Sequence, residues 1–272
     1  MRVCKLQKVC CTVVYRVYEY AGNDAAGTEN AGTDAEAAGP QIMIKQVINR
    51  LKMELPATVK LVAVSKFHPF DAIEEAYEAG QRIFAESRPQ ELQAKVKRLQ
   101  EIRVERGEPD YMSDVQWHFI GHLQTNKLKM VLPYVSLVQS VDSVRLLDAI
   151  NAWGAANGKV IDVLLEPHVA AEETKQGFAA EEIFEILSDA ERYGNVRFRG
   201  IMGMATFTDD ESVIRSDFAA LRSIFDDCVS RFPGLADSFD HFSIGMSDDY
   251  PLAIEYGSTM VRIGSMIFGA RQ

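Results

Sequence analysis

Residues 60–80 read KLVAVSKFHPFDAIEEAYEAG and contain one strand followed by one helix. The first part, LVAV, is short, apolar and β-branched, which is typical of a buried strand. In the second part Ile73, Ala76 and Tyr77 fall on one helical face, and Gly80 follows the end of this pattern. A strand that leads directly into an amphipathic helix is the building unit of parallel α/β folds.

The same alternation continues along the chain from Gln41. Stretches with helical spacing separate eight runs that are rich in apolar residues: LVAV, RIF, WHFIG, SLVQS, IDVLL, RFRGIM, HFSIGM and MVRIG. Eight alternating units predict an α/β fold, a single (β/α)8 TIM barrel over residues 41–272. A doubly wound open sheet is the main alternative, but no G-x-G-x-x-G motif follows the first strand.

The first 40 residues have a different composition. Residues 21–40, AGNDAAGTENAGTDAEAAGP, are rich in small and acidic residues without an apolar period, which predicts a disordered linker. The stretch before them combines scattered basic side chains with a short apolar run, a composition shared by cleavable targeting peptides and unstructured extensions. We favour an unstructured extension for residues 1–40, outside the barrel.

The composition limits the partners of the protein. The chain has 272 residues, a net charge of -10 and an isoelectric point near 5.1. This acidic balance argues against nucleic acid or an anionic membrane as the main partner, and no apolar run reaches the length of a transmembrane helix. Three of the four cysteines lie in the first 11 residues and Cys228 stands alone, so neither a disulfide framework nor a zinc spacing is present. We expect a cytoplasmic protein without a metal site.

Lys66 lies at an unusual position, just beyond the first predicted strand. Counted by the strand period of two, Val62, Val64 and Lys66 share one face, so the amine follows two buried valines. In one interpretation the strand has ended and the lysine turns to solvent, as most lysines do. In the other, Lys66 is a partly desolvated amine held for Schiff-base chemistry. The residues around Lys66 leave both interpretations open.

The last two predicted strands lead into loops that suit a phosphate group. TIM barrels frequently build a phosphate site from the loops after strands seven and eight. Here those loops begin in SIGMSDD and RIGS, which provide small or hydroxyl-bearing residues: Ser243, Gly245, Ser247, Gly264 and Ser265. Backbone N–H groups and hydroxyls of this kind bind anions. Ordinary turn chemistry with Asp248 as a helix cap is the alternative for each loop, but both loops fall at the expected positions.

Arg262 is the basic residue of the eighth predicted strand. In MVRIG the period of two places Met260 and Arg262 on one face, and an arginine inside a barrel mouth needs a partner. One interpretation is a structural ion pair with Glu86 or Glu166. The other is a donor to a ligand that carries a phosphate. A neighbouring cation would also lower the pKa of the Lys66 amine, which favours Schiff-base chemistry.

Three motifs resemble one known family. AVSKFHP at the first strand, WHFIGHLQTNK at the third and SIGMSDDYPLAIEYGSTMVRIGSMIFGAR at the end are similar to the pyridoxal phosphate homeostasis proteins. The resemblance covers residues 42–271, and its C-terminal motif is highly specific. It implies a single barrel of the type found in the N-terminal domain of alanine racemase.

The resemblance also implies a cofactor, pyridoxal 5′-phosphate (PLP), and the residues that bind it. Lys66 would form the aldimine with PLP, and Arg262 would face the pyridine nitrogen. The residues that would surround the phosphate are Ser243, Gly245, Met246, Ser247, Gly264 and Ser265. Two segments depart from the family pattern. Ser87 in FAES replaces an asparagine and has a shorter reach to the ring hydroxyl, and Glu166 and Pro167 replace a Val-Asn-like stretch at the barrel mouth.

The function implied by the resemblance is intracellular PLP homeostasis, in which the protein buffers PLP or delivers it to PLP-dependent client enzymes. An amino-acid racemase on the same barrel is the main alternative, and a Schiff-base aldolase is a third. A racemase needs a second acid/base group, which alanine racemase obtains from a second domain and a dimer partner, and we expect neither here. An arginine at the ring nitrogen also weakens the electron sink. We therefore expect a monomeric carrier rather than an enzyme.

His122 follows FIG at a predicted strand end, where a general acid or base could lie. The alternative is a hydrogen bond that fixes the loop. We favour this alternative, because nothing in the sequence places a substrate proton near His122.

Overall fold

The computed structural model describes residues 44–169 and 177–269. Within these residues eight parallel strands pair in chain order and close into a barrel, in which the last strand pairs with the first. The strands are β1 (Lys60–Val64), β2 (Ile83–Glu86), β3 (Gln116–Phe119), β4 (Val135–Val141), β5 (Ile161–Leu165), β6 (Val196–Met202), β7 (His241–Ser243) and β8 (Met260–Ile263). The predicted TIM barrel is therefore confirmed. The predictions for residues 1–40 and for their cysteines lie outside the described residues.

Helices pack around the strands. In the described part of the chain they are α1 (Ile44–Glu54), α2 (Phe70–Glu78), α3 (Pro89–Arg106), α4 (Leu128–Val131), α5 (Val144–Asn157), α6 (Ala180–Ser188), α7 (Glu211–Arg231), α8 (Tyr250–Glu255) and α9 (Ser265–Phe268). Local signals set their ends. The Ser143 side chain accepts a hydrogen bond from the Leu146 amide at the start of α5, and the Asp210 side chain accepts one from Ser212 at the start of α7.

The strands bury apolar side chains on both faces, as is usual for a parallel sheet covered by helices. A small apolar cluster fills the barrel interior and contains Val62, Val64, Ala85, Leu137, Leu164, Met202 and Met260. A larger cluster fills the space between the barrel and its helices and includes the fully buried Phe84, Phe119 and Phe242. The alternation predicted for β1 is thus present, and the side chains of Val62 and Val64 point into the barrel interior.

Strand β7 is shorter than the predicted run HFSIGM, because the chain leaves strand geometry after Ser243. Gly245 has a φ of 94°, in the left-handed region that side chains disfavour. A Cβ atom at Gly245 would lie 2.6 Å from the Cβ atom of Ala253 in α8. Glycine at this position therefore allows the loop to turn and to pack closely against α8.

The described residues also limit two classes of function. In residues 44–169 and 177–269 no helix has both the length and the apolar character needed to cross a membrane. Across the same residues no three His, Cys, Asp or Glu side chains are placed to hold a metal ion. Burial raises the pKa of the Cys228 thiol to about 12, so this free cysteine stays protonated and poorly reactive at neutral pH.

A chain of hydrogen bonds runs through the barrel interior to His118 on β3. The Gln139 amide Nε2 lies 2.8 Å from Nδ1 of His118, and its Oε1 accepts from the Ser243 hydroxyl at 2.8 Å. An amide nitrogen only donates, so Nδ1 of His118 accepts and the imidazole is neutral. Burial, followed by the charges of His241 and Lys60, lowers the pKa of His118 from 6.5 to about 3.

We expect the barrel to lose stability in mild acid because of His118. Between pH 6.5 and about 3 this histidine binds a proton in the unfolded chain but not in the folded chain. The free energy of unfolding therefore falls as pH falls. Between pH 7 and 4.5 the loss attributable to His118 is about 2–3 kcal/mol. Urea unfolding of wild type and His118→Asn at several pH values measures it, and the variant should show a smaller fall over this range. Equal pH dependence in the two proteins would refute the assignment.

Candidate functional site

A cavity of about 740 Å³ opens at the carboxyl ends of the strands. Its walls come from the segments that follow β1, β3, β6, β7 and β8, and its apolar floor includes Val64 and Met202 of the interior cluster. Six of the nine sequence-predicted site residues line this cavity: Lys66, Met246, Ser247, Arg262, Gly264 and Ser265. Residues from the first strand and from the last two strands are thus brought together, because β8 pairs with β1.

Lys66 lies in the turn after β1 and lines the cavity. The Ser65 amide still donates to the Ala85 carbonyl of β2 at 3.1 Å, so the chain keeps its strand register up to the residue before Lys66. Phe67 then adopts a φ of 69°, which reverses the chain direction. Lys66 is partly buried, between full exposure and the interior. Lys66 is thus a half-buried residue at the end of a strand, and its role in Schiff-base chemistry stays a prediction.

Arg262 is a buried cation beside the cavity, with 4% of its surface exposed. Its Nη1 donates to the carbonyl and the hydroxyl of Ser243 at 2.7 and 2.8 Å, and its Nη2 donates to the Gly203 carbonyl at 2.9 Å. Burial lowers the pKa of Arg262 to about 10, against the opposing charges of Asp249 and Glu166. The guanidinium therefore remains charged at neutral pH.

The suggested ion pair between Arg262 and Glu86 is wrong, because Glu86 Oε1 binds the Lys95 ammonium at 2.6 Å. Glu86 lies beside Ala85, which faces the interior, so its own side chain points to the helical side of β2. Glu166 acts on Arg262 as a neighbouring charge. The partners of Arg262 are mainly neutral oxygens, which the sequence does not indicate.

The loops after β7 and β8 bring two hydroxyls to the cavity, those of Ser247 and Ser265. The Gly264 amide donates to the Ser247 hydroxyl at 3.3 Å, so the two loops are in contact. Asp249 fixes the first loop, since its carboxylate accepts from the Met246 amide at 2.5 Å. Asp249, rather than Asp248, occupies the position before α8. The two loops therefore form one surface that presents the hydroxyls of Ser247 and Ser265 to the cavity.

The other three predicted residues do not line the cavity. Ser243 is fully buried between Arg262 and Gln139 and holds the arginine in place. Gly245 shapes the loop, and its carbonyl accepts from the Arg262 amide at 2.9 Å. Ser87 is partly exposed at the end of β2. We interpret Ser243 and Gly245 as supports of the site.

Sequence reasoning missed the segment after β6, which forms one wall of the cavity from Met202 to Thr208. The Thr206 amide donates to the Asp217 carboxylate of α7 at 2.7 Å and anchors this wall. Phe207 at its tip is 90% exposed. The only signal in the sequence is position, since the carboxyl end of every barrel strand is a candidate.

Two histidines lie near the barrel mouth. His122 Nδ1 is 2.7 Å from the Asp142 carboxylate, a contact that fits the hydrogen-bonding interpretation of this residue. His68 lines the cavity and stacks on Phe268 with ring centroids 5.2 Å apart. Burial and the nearby Lys95 charge lower the pKa of His68, so its imidazole is neutral at neutral pH.

The chain belongs to the alanine racemase N-terminal domain class, because the profile of that family covers most of its length. The profile described as "Alanine racemase, N-terminal domain" matches residues 43–272. Within that class, the chain belongs to the pyridoxal phosphate homeostasis protein family, because curated members are at least 30% identical to it over most of its length.

Relatives from distant organisms support this membership. The pyridoxal phosphate homeostasis protein of Haemophilus influenzae is 35% identical over 214 residues, which cover 79% of this chain and 86% of that protein. The protein of the same name from Homo sapiens is 36% identical over 239 residues, covering 84% of this chain and 82% of that protein.

Solved structures agree with the fold. PipY of Synechococcus elongatus PCC7942, solved with PLP bound, is 31% identical with a TM-score of 0.73, covering 83% of this chain and 100% of that chain. Alanine racemase of Clostridium difficile 630 has a TM-score of 0.65 at 14% identity, covering 84% of this chain and 56% of that chain, a likeness of fold alone.

Proposed function

We propose that this protein binds PLP in the cavity at the barrel mouth, with Lys66 as the covalent attachment point, and serves PLP homeostasis as a carrier. The observation that carries the proposal is the meeting of a lysine amine with two hydroxyl-bearing loops in one cavity. The relatives' name and the PLP bound to PipY point to the same ligand.

The residues present fit this cofactor. The cavity volume of about 740 Å³ lies within the range of small-molecule sites, and its apolar floor suits a flat ring. The hydroxyls of Ser247 and Ser265 supply donors for a phosphate. When bound, PLP supplies an aldehyde that reacts with a primary amine, and Lys66 provides that amine.

Arg262 favours a carrier over an enzyme. We propose that its guanidinium faces the ring nitrogen, as the family resemblance implies. Its three hydrogen bonds to Ser243 and Gly203 fix the side chain, and it stays charged at neutral pH. A fixed cation there disfavours a protonated ring nitrogen, which PLP catalysts use to stabilise carbanions. A racemase on the same barrel remains the second candidate, because alanine racemase shares the fold.

We also propose that the protein acts as a monomer in the cytoplasm and hands PLP to client enzymes. The lack of a disulfide pattern in the sequence supports a reducing compartment such as the cytoplasm. Light scattering measures the mass in solution. Mixing the loaded protein with an apo-aminotransferase measures the transfer, as recovered aminotransferase activity.

The carrier proposal is tested by loading the purified protein with PLP and incubating it with a panel of L-amino acids. We expect a visible absorption band from bound PLP and no appreciable formation of D-amino acids on chiral chromatography. A spectrum identical to that of free PLP would contradict binding. Racemisation at about 1 per second or faster would instead support the enzyme alternative, since this is an ordinary enzymatic rate.

A further inference from the structure

A buried cluster of charges lies directly behind Lys66, on the helical side of β1 and β2. We call it the Lys95 cluster, and it consists of Ser65, Glu86, Glu91 and Lys95. The Lys95 ammonium donates to Glu86 Oε1 at 2.6 Å, to Glu91 Oε1 at 2.9 Å and to the Ser65 carbonyl at 2.7 Å. The side chains of Lys95 and Glu86 are 6% and 0% exposed.

The Lys95 cluster binds the backbone on both sides of Lys66. The Ser65 carbonyl, one residue before it, accepts from Lys95. The Phe67 amide, one residue after it, donates to Glu91 Oε1 at 2.5 Å. One carboxylate and one ammonium, themselves paired, therefore fix the peptide groups that flank the proposed attachment point.

Phe67 is held in a costly conformation at this point. Its φ of 69° is in the left-handed region, where the Cβ atom of a residue lies too close to the following carbonyl oxygen. Such a conformation persists only when surrounding contacts enforce it. The Glu91 hydrogen bond is one such contact, and the Arg88 guanidinium, 4.5 Å from the centre of the Phe67 ring, is another. If the turn relaxed, the direction of the Lys66 side chain would change with it.

Stability alone is a weak explanation of this cluster. Two carboxylates share one ammonium in a buried place, and among the described residues Glu86 Oε2 has no hydrogen-bond partner. Burial, together with the Glu91 charge, raises the pKa of Glu86 in spite of Lys95. Apolar residues of similar size would often be at least as stabilising as buried ion pairs. The Lys95 cluster is also separate from the proposed phosphate site, because the hydroxyls of Ser247 and Ser265 belong to the segments after β7 and β8.

We propose that Glu91 and Lys95 are positioning residues: they hold the Phe67 turn in its left-handed conformation and thereby direct the Lys66 amine into the cavity. This inference rests on the proposed function of Lys66. It predicts that weakening the Lys95 cluster slows covalent attachment of PLP, whereas binding of the ring and phosphate is retained.

The test uses Glu91→Ala and Glu91→Gln, with Glu105→Ala as the control. Glu105 lies on the same helix α3, is 59% exposed and pairs with Arg98 at the surface. Glutamine keeps an oxygen that can accept from the Phe67 amide, so we expect covalent attachment to slow by about threefold in Glu91→Gln. Alanine removes the acceptor, and we expect slowing of about tenfold or more. The control should match wild type.

Three measurements separate positioning from a general structural effect. The rate of attachment is the appearance of PLP-modified Lys66 after borohydride quenching. Pyridoxine 5′-phosphate has an alcohol in place of the aldehyde, so its affinity measures binding in the cavity without attachment to Lys66. This affinity should change by less than about twofold. Hydrogen exchange at the Phe67 amide in ligand-free protein should accelerate in Glu91→Ala by about tenfold.

The proposal is overturned if both Glu91 variants attach PLP at the wild-type rate, or if pyridoxine 5′-phosphate affinity falls by the same factor as attachment. If Glu91→Ala does not fold, Glu91→Gln decides, and an unchanged rate in that protein counts against positioning. Failure of the proposed function is distinguishable: wild type would then show no modified Lys66, whereas hydrogen exchange at Phe67 would still test the contact with Glu91.

Discussion

Lys66→Ala is expected to abolish covalent attachment of PLP and to leave the barrel folded. The substitution removes the amine that lines the cavity after β1, and the side chain lies outside both apolar clusters. Loss of stability should stay within about 1 kcal/mol. The measurement is mass spectrometry of protein that has been mixed with PLP and reduced with borohydride. Wild type should carry one adduct on Lys66, and the variant none.

Lys97→Ala is the matched control for this prediction. Lys97 lies on α3 with its side chain 78% exposed, so its loss should change neither the adduct nor the absorption band. Pyridoxine 5′-phosphate should bind Lys66→Ala nearly as well as it binds wild type, since the donors for its phosphate are intact. An adduct that persists in Lys66→Ala would show that another amine is the attachment point.

Gly200→Ala is expected to destabilise the protein by about 3–5 kcal/mol, the largest stability effect that we predict. Gly200 pairs with His241 between β6 and β7 and has a φ of 145°. A Cβ atom at this position would lie 1.8 Å from the carbonyl oxygen of His241, a backbone atom that cannot move without breaking the sheet. Urea unfolding followed by circular dichroism gives the free energy.

Gly194→Ala provides the control for Gly200. A Cβ atom at Gly194 meets open space among the described residues, so the free energy of unfolding should change by no more than about 0.5 kcal/mol. If the two alanine variants unfolded at the same urea concentration, the steric argument for Gly200 would fail.

Much of the fold could be predicted from the sequence, because the spacing of apolar residues and the residues that end helices and strands are local properties. The valines of β1 and the following helix set the repeating unit, and the same pattern marked all eight strands. The end of β7 could not be located, because the turn depends on Gly245 packing against Ala253, a contact between separate elements. Its prediction as a longer strand was wrong for this reason.

The candidate site could be predicted in part. The barrel rule, which assigns function to strand ends, placed Lys66 and the residues after β8 at one site, and the structure brings them to one cavity, whereas their roles in binding stay predictions. The backbone carbonyls that bind Arg262 were missed, because every residue has a carbonyl and these produce no pattern in the sequence. The Lys95 cluster did leave a mark: Leu92, Leu99 and Ile102 of α3 are buried together with Lys95, so a lysine interrupts an apolar helical face. Such a lysine in the buried stripe of a helix indicates an internal carboxylate partner.

The pairing of β1 with β8 has a consequence for the order of events during synthesis. Lys60 pairs with Met260, so this seam joins the two most distant strands of the described barrel. Contacts so far apart in sequence form late and slowly, because loop closure must come first. Lys66 emerges from the ribosome long before Arg262 and Ser265 are synthesised. The nascent chain therefore has the Lys66 amine without the groups that surround it in the finished cavity. A ligand that needs all of these groups therefore binds only after the barrel has closed. Because the ligand binds the closed barrel and not the open chain, it shifts the equilibrium away from separation of β1 and β8.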